Sequence, residues 1–114
     1  MFNLKCDIMD FTEYQKNTKE TAIYPNNMEG GFYYPALGLA GEVGELLNKI
    51  KKIARDKKTP DIEDLKGEIG DVLWYLSQLS NEFGIDLGQA ADENIKKLKS
   101  RKERGVISGS GDNR

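Results

Sequence analysis

Two short segments carry the same arrangement of acids and glycines. Gly41-Glu42-Val43-Gly44-Glu45-Leu46-Leu47 and Gly67-Glu68-Ile69-Gly70-Asp71-Val72-Leu73 match position by position in residue character. Glu42, Glu45, Glu68 and Asp71 are therefore the candidate metal-ligating and catalytic groups. Carboxylates brought close together without a counterion repel each other, and some would hold protons. One or two divalent cations relieve that repulsion and still leave coordination positions for water and phosphate oxygens. Such a centre polarises a phosphorus–oxygen bond, generates a nucleophilic water and stabilises a leaving phosphate. Phosphoryl and nucleotidyl transfer are the natural chemistry.

The chain contains no histidine. That removes most zinc sites, serine–histidine and cysteine–histidine catalysis, and the Glu-x-x-His motif of di-iron bundles. A metal site must then be built from carboxylates, amides and backbone oxygens, the hard ligands that suit Mg²⁺, Mn²⁺ or Ca²⁺.

The elements that position the acids read as four helices with no convincing strand. Asp10, with Glu13 three residues on, starts the first, which fades before Pro25. A second runs from about Pro35 to Arg55, after a loop over residues 24–31. Thr59-Pro60 is expected to cap the third, which reaches Phe83 and stops at Gly84. Asp86 and Gln89 start the fourth, which ends near Gly105.

A helix advances about 100° per residue. Leu39, Val43, Leu46, Ile50 and Ile53 then share one face of the second helix, and Leu65, Ile69, Val72, Leu76, Leu79 and Phe83 one face of the third. Glu42 and Glu68 lie at the edges of these stripes, with Glu45 and Asp71 roughly 60° further out. Antiparallel packing through the stripes would bring all four acids to one groove. Gly41, Gly44, Gly67 and Gly70 each weaken a helix interior by about 1 kcal/mol relative to alanine. Close approach of another helix, or room for a bulky ligand, would explain them.

On the fourth helix Leu87, Ala91, Ile95 and Leu98 make the expected core stripe. Asn94, Lys97 and Arg101 line its edge, an amide, an ammonium and a guanidinium suited to holding a polyphosphate. Tyr75 lies near the Glu68 edge and is placed to stack on a base or ribose, although a core or subunit interface is the commoner use of such a ring.

The 114 residues allow one domain, read here as residues 1–105 with a polar tail over 106–114. The tail is expected either to fray or to order over a bound substrate, with Asn113 or Arg114 near its phosphates. Net charge is −2, which gives no general nucleic-acid footprint. No run reaches the roughly 18 apolar residues of a membrane span, and the N-terminus lacks a signal-peptide pattern. A cytoplasmic protein is the expectation. Cys6, the single cysteine, reads as a minor packing residue.

These residues resemble the MazG-type all-α nucleoside triphosphate pyrophosphohydrolases. Glu42-x-x-Glu45, twenty-two intervening residues, then Glu68-x-x-Asp71 carry the resemblance, together with Gly70-Asp71-Val72-Leu73-Trp74-Tyr75-Leu76 and Asn94-x-x-Lys97-Leu98-x-x-Arg101. The ending Gly109-Ser110-Gly111-Asp112-Asn113-Arg114 is similar to short single-domain members, phage-encoded ones included. The resemblance implies a four-helix bundle that assembles into a homodimer or homotetramer. It also implies Mg²⁺-dependent attack of water at the α-phosphorus, with Mn²⁺ as a substitute, giving a nucleoside monophosphate and pyrophosphate. Glu42, Glu45, Glu68 and Asp71 would hold the metal, and Asn94, Lys97 and Arg101 would contact phosphate or sugar. Two other readings stay open: a non-enzymatic helical interaction module, and a phosphohydrolase releasing orthophosphate.

Overall fold

Asp10, Asp61 and Asp86 each start a helix in the same way. Each side chain accepts a hydrogen bond from the backbone N–H three residues on, at 2.8 Å from Glu13, 3.2 Å from Asp64 and 2.9 Å from Gln89. This satisfies one donor that the first turn leaves without a helical partner. The computed structural model describes residues 8–26 and 30–114, so Cys6 and residues 27–29 of the expected loop lie outside the described residues. Four α-helices form among the described residues: α1 (Phe11–Thr18), α2 (Tyr33–Asp56), α3 (Ile62–Glu82) and α4 (Leu87–Glu103). A 3-10 turn over Lys19–Thr21 extends α1, and no strand occurs among the described residues.

The cap of α3 differs from the Thr59-Pro60 expectation: Asp61 holds that position. Its carboxylate is an acceptor placed directly before the first helical residue, so Pro60 falls outside the helix. α2 starts two residues before Pro35 and ends at Lys57, a non-glycine residue in the left-handed region at φ 51°. The stops of α3 and α4 are glycines where expected. Gly84 and Gly105 take φ +65° and +72°, a conformation that costs an L-residue strain.

α2 and α3 form an antiparallel hairpin and share the most extensive contact in the chain. Gly38 meets Tyr75, Glu42 meets Asp71, and Lys49 meets Asp64, so each step forward on α2 is matched by an equal step back on α3. Gly38 is required there, because a Cβ would overlap the Tyr75 ring. α1 crosses α3 and α4 and is clamped by one buried side chain. Gln15 donates to Asn81 Oδ1 at 2.8 Å and Ile85 O at 2.7 Å, and accepts from Leu87 N at 2.7 Å. The α3–α4 connection is thereby fixed to α1.

The expected core is only half built within one chain. Among the described residues Pro35 is the one apolar side chain that is fully buried; the other buried side chains are polar, Gln15, Thr18, Ser77, Gln78, Ser80 and Arg101. Ile62, Ile69 and Leu76 of α3 and Phe83 at its C-cap, spaced seven residues apart, are 66, 55, 37 and 58 % exposed. Val43, Leu47 and Ile50 on α2 and Ile95 and Leu98 on α4 are exposed as well. α4 packs against α1 and makes no comparable contact with α2 or α3. The radius of gyration is 17.3 Å, whereas a chain of this length packed on its own would give about 13 Å.

Candidate active site

The α2–α3 register sets the acids opposite one another. Glu42, Glu68 and Asp71 each offer a carboxylate oxygen, and the three atoms lie within 4.8 Å of one another. Glu45 is outside this triad but adjoins Glu42 from the same helix and acts on it electrostatically. The structure thus gathers three of the four sequence-singled acids tightly and sets the fourth beside them.

Their environments differ. Glu42 Oε2 and Glu68 Oε2 are buried and have no hydrogen-bond partner. Glu68 Oε1 pairs with Lys49 Nζ at 2.7 Å, and the same ammonium reaches Asp64 at 2.6 Å. Among the described residues Glu42 has no such cation. Burial pushes its carboxyl above the ordinary range, and the charges of Glu45, Asp71 and Glu68 push the same way. Glu42 Oε2 and Glu68 Oε2 thus stand beside Asp71 without a hydrogen-bond donor among the described residues. These oxygens fit a hard divalent ion.

Lys49 was not singled out by the sequence reading, although it follows Glu42 by seven residues and so sits on the same helix face. Its amino group is held well above its usual range, first by Asp64 and then by Glu68. Tyr14 was also missed. Burial, and then the charge of Asp71, raise the pKa of its hydroxyl, and α1 packs against α3, which carries Asp71.

Tyr75 stands beside the acids, with its hydroxyl raised by burial and then by Tyr34, Glu42 and Asp71. Its ring meets Trp74 edge-on at 5.1 Å and Tyr34 at 6.5 Å, and Tyr34 stacks on Tyr24 at 5.1 Å with 3° between the rings. Trp74 donates from Nε1 to Thr21 Oγ1 at 2.9 Å. An aromatic wall therefore adjoins the carboxylates, drawn from α2, α3 and the segment after α1.

The four repeat glycines do not serve helix contact within the chain: a Cβ at Gly41, Gly44, Gly67 or Gly70 would meet nothing within 4 Å. Gly41 and Gly44 instead leave an open depression of about 440 Å³, lined also by Glu45, Leu47, Asn48 and Lys51. Asn94 is exposed on α4. Lys97 and Arg101 engage Asp112 of the tail, at 3.1 and 3.0 Å, rather than the acids of α2 and α3.

A family model described as the MazG nucleotide pyrophosphohydrolase domain matches residues 35–106. The chain belongs to the MazG nucleotide pyrophosphohydrolase family. All eight sequence-singled site residues fall inside the MazG match, while residues 107–114 lie beyond it. The Gene 37 protein of Mycobacterium phage L5 is similar at 47 % identity over 110 residues, which covers 89 % of this chain and 96 % of that protein. No solved structure matches the chain. The all-helical architecture agrees with that of the MazG fold.

Proposed function

We propose that the chain is a Mg²⁺-dependent nucleoside triphosphate pyrophosphohydrolase, converting a ribo- or deoxynucleoside triphosphate to its monophosphate and pyrophosphate. The observation that carries this is the pair of buried, unpartnered oxygens, Glu42 Oε2 and Glu68 Oε2, beside Asp71 in a member of the MazG family. Bound Mg²⁺, or Mn²⁺ in its place, would supply charge neutralisation and a water of lowered pKa beside the α-phosphate.

Glu42, Glu68 and Asp71 would hold the ion, with Glu45 completing the set or orienting the attacking water. Lys49 holds Glu68 in place through their ion pair. Tyr75 offers a face for the ribose or base, and Asn94, Lys97 and Arg101 are assigned to phosphate or sugar. Since α4 lies away from the acids of its own chain, that assignment is most simply met across subunits. We therefore infer a homodimer or homotetramer, supported by the uncovered α3 stripe and by glycines that face open space. No helix among the described residues is long and apolar enough to cross a membrane.

The test pairs Glu68→Gln with Glu63→Gln, an acid on α3 that pairs with Lys66 away from the cluster. Turnover of a nucleotide panel with Mg²⁺ should fall at least about 100-fold in the first, since stabilisation by the metal centre is worth several kcal/mol. The second should behave as the parent. Equal turnover in both variants, or full activity in excess chelator, would remove the carboxylate centre from the reaction.

A further inference from the structure

The residues beyond the family match are held, not frayed. Val106 N donates back to Arg101 O at 2.8 Å, so the chain turns at Gly105 and returns along the last turns of α4. The segment 106–114 then closes on itself. Arg114 donates to the carbonyls of Val106 and Ile107, each at 3.1 Å, and to that of Gly111. Arg104 donates to Arg114 O at 2.8 Å.

This loop delivers one carboxylate to α4. Asp112 Oδ1 lies 3.1 Å from Lys97 Nζ and 3.0 Å from Arg101 Nη2, and Nη2 donates to the Asp112 carbonyl at 2.6 Å as well. The two cations hold the Asp112 carboxyl below its usual range.

The contact uses Arg101 incompletely. A guanidinium offers five N–H donors in a planar fork. Here Nη2 alone bonds to Asp112, while Nε is buried without a partner in a side chain 5 % exposed. A phosphate presents three oxygens, can span Nε and Nη2 side by side, and carries more charge than a carboxylate. Asp112, 79 % exposed, is screened by solvent and so is weakly held.

We propose that Asp112 is an internal stand-in for a phosphate, and that polyphosphate binding at Lys97 and Arg101 displaces the segment 106–114 from α4. The ligand class rests on the function proposed above; the closed loop and the half-used guanidinium do not. The tail is then a competitor of substrate rather than a clasp over it.

The probe is inorganic pyrophosphate, added without metal to the full chain. If the loop is closed about nine-tenths of the time, it weakens apparent affinity about tenfold. Asp112→Asn should therefore tighten pyrophosphate binding several-fold by calorimetry, and Lys97→Ala in that background should cancel the gain. In the unaltered protein, the Gly109 and Gly111 amide resonances should move toward those of a free loop as pyrophosphate saturates. Weaker or unchanged binding by Asp112→Asn overturns the proposal, and so do tail amides that stay in place. Neither readout needs turnover. A chain that hydrolyses no triphosphate but shows both effects loses the function above and keeps this inference. A competent hydrolase whose Asp112→Asn variant binds pyrophosphate unchanged loses this inference alone.

Discussion

Glu42 is the acid on which burial and like charge converge. Both raise its folded-state pKa above the ordinary 4.5, so over that interval the folded chain binds more protons than the unfolded one. Stability of the metal-free protein should then fall as pH rises from about 4.5 through the folded pKa, since stability follows the difference in bound protons. Melting curves of the metal-free parent minus those of Glu42→Gln isolate this slope, and a difference that is flat or rises with pH contradicts it. Glu42→Gln should also melt higher than the parent at neutral pH without metal, and gain less from Mg²⁺.

The repeat alone treats the four acids alike. Lys49 makes Glu68 different, because its ion pair already relieves part of the repulsion. That Glu42, Glu68 and Asp71 would meet was legible because a Gly-Glu-x-Gly-acid unit occurs twice at matching helical phase. Lys49 and Tyr14 were not, because a lysine on a charged helix and a tyrosine on a short one carry no distinguishing pattern.

At the scale of elements, capping chemistry made α1 and α4 readable, each from an aspartate followed three residues later by Glu or Gln. The start of α3 misled because Thr59-Pro60 and Asp61 both offer caps, and only the geometry decides between them. The end of α2 had no glycine to mark it, since Lys57 takes the left-handed turn itself. Asp61→Ala should cost about 1 kcal/mol through the lost cap.

Gln15 gave no signal beyond its place in a helix, yet its amide joins α1 to the end of α3 and the start of α4. Gln15→Ala leaves the Leu87 N–H without its acceptor and should destabilise the chain by about 2 to 3 kcal/mol. Urea denaturation checks this, and a loss below about 0.5 kcal/mol would class it with ordinary surface changes.

At the scale of the molecule, the apolar periodicities were real, but what covers them could not be read from them. A stripe tells that a face avoids water, not whether its partner lies in the same chain. Ile62, Ile69, Leu76 and Phe83 remain exposed because α4 lies against α1 and leaves that face of α3 open. Self-association would bury it. The melting temperature should then rise with protein concentration, and sedimentation should report a dimer or larger. Leu47→Lys, which places a charge on a residue 57 % exposed in the single chain, should shift the species toward monomer. An unaltered sedimentation profile for this variant would take Leu47 out of the interface.

The proposed activity is metal-dependent attack of water at the α-phosphorus. Hydrolysis of a nucleoside triphosphate in ¹⁸O-labelled water with Mg²⁺, followed by mass spectrometry of both products, tests it most directly. Label is expected in the nucleoside monophosphate, with unlabelled pyrophosphate and no products once a chelator is in excess. Orthophosphate with a nucleoside diphosphate, label in the pyrophosphate, or no hydrolysis across the panel would contradict it.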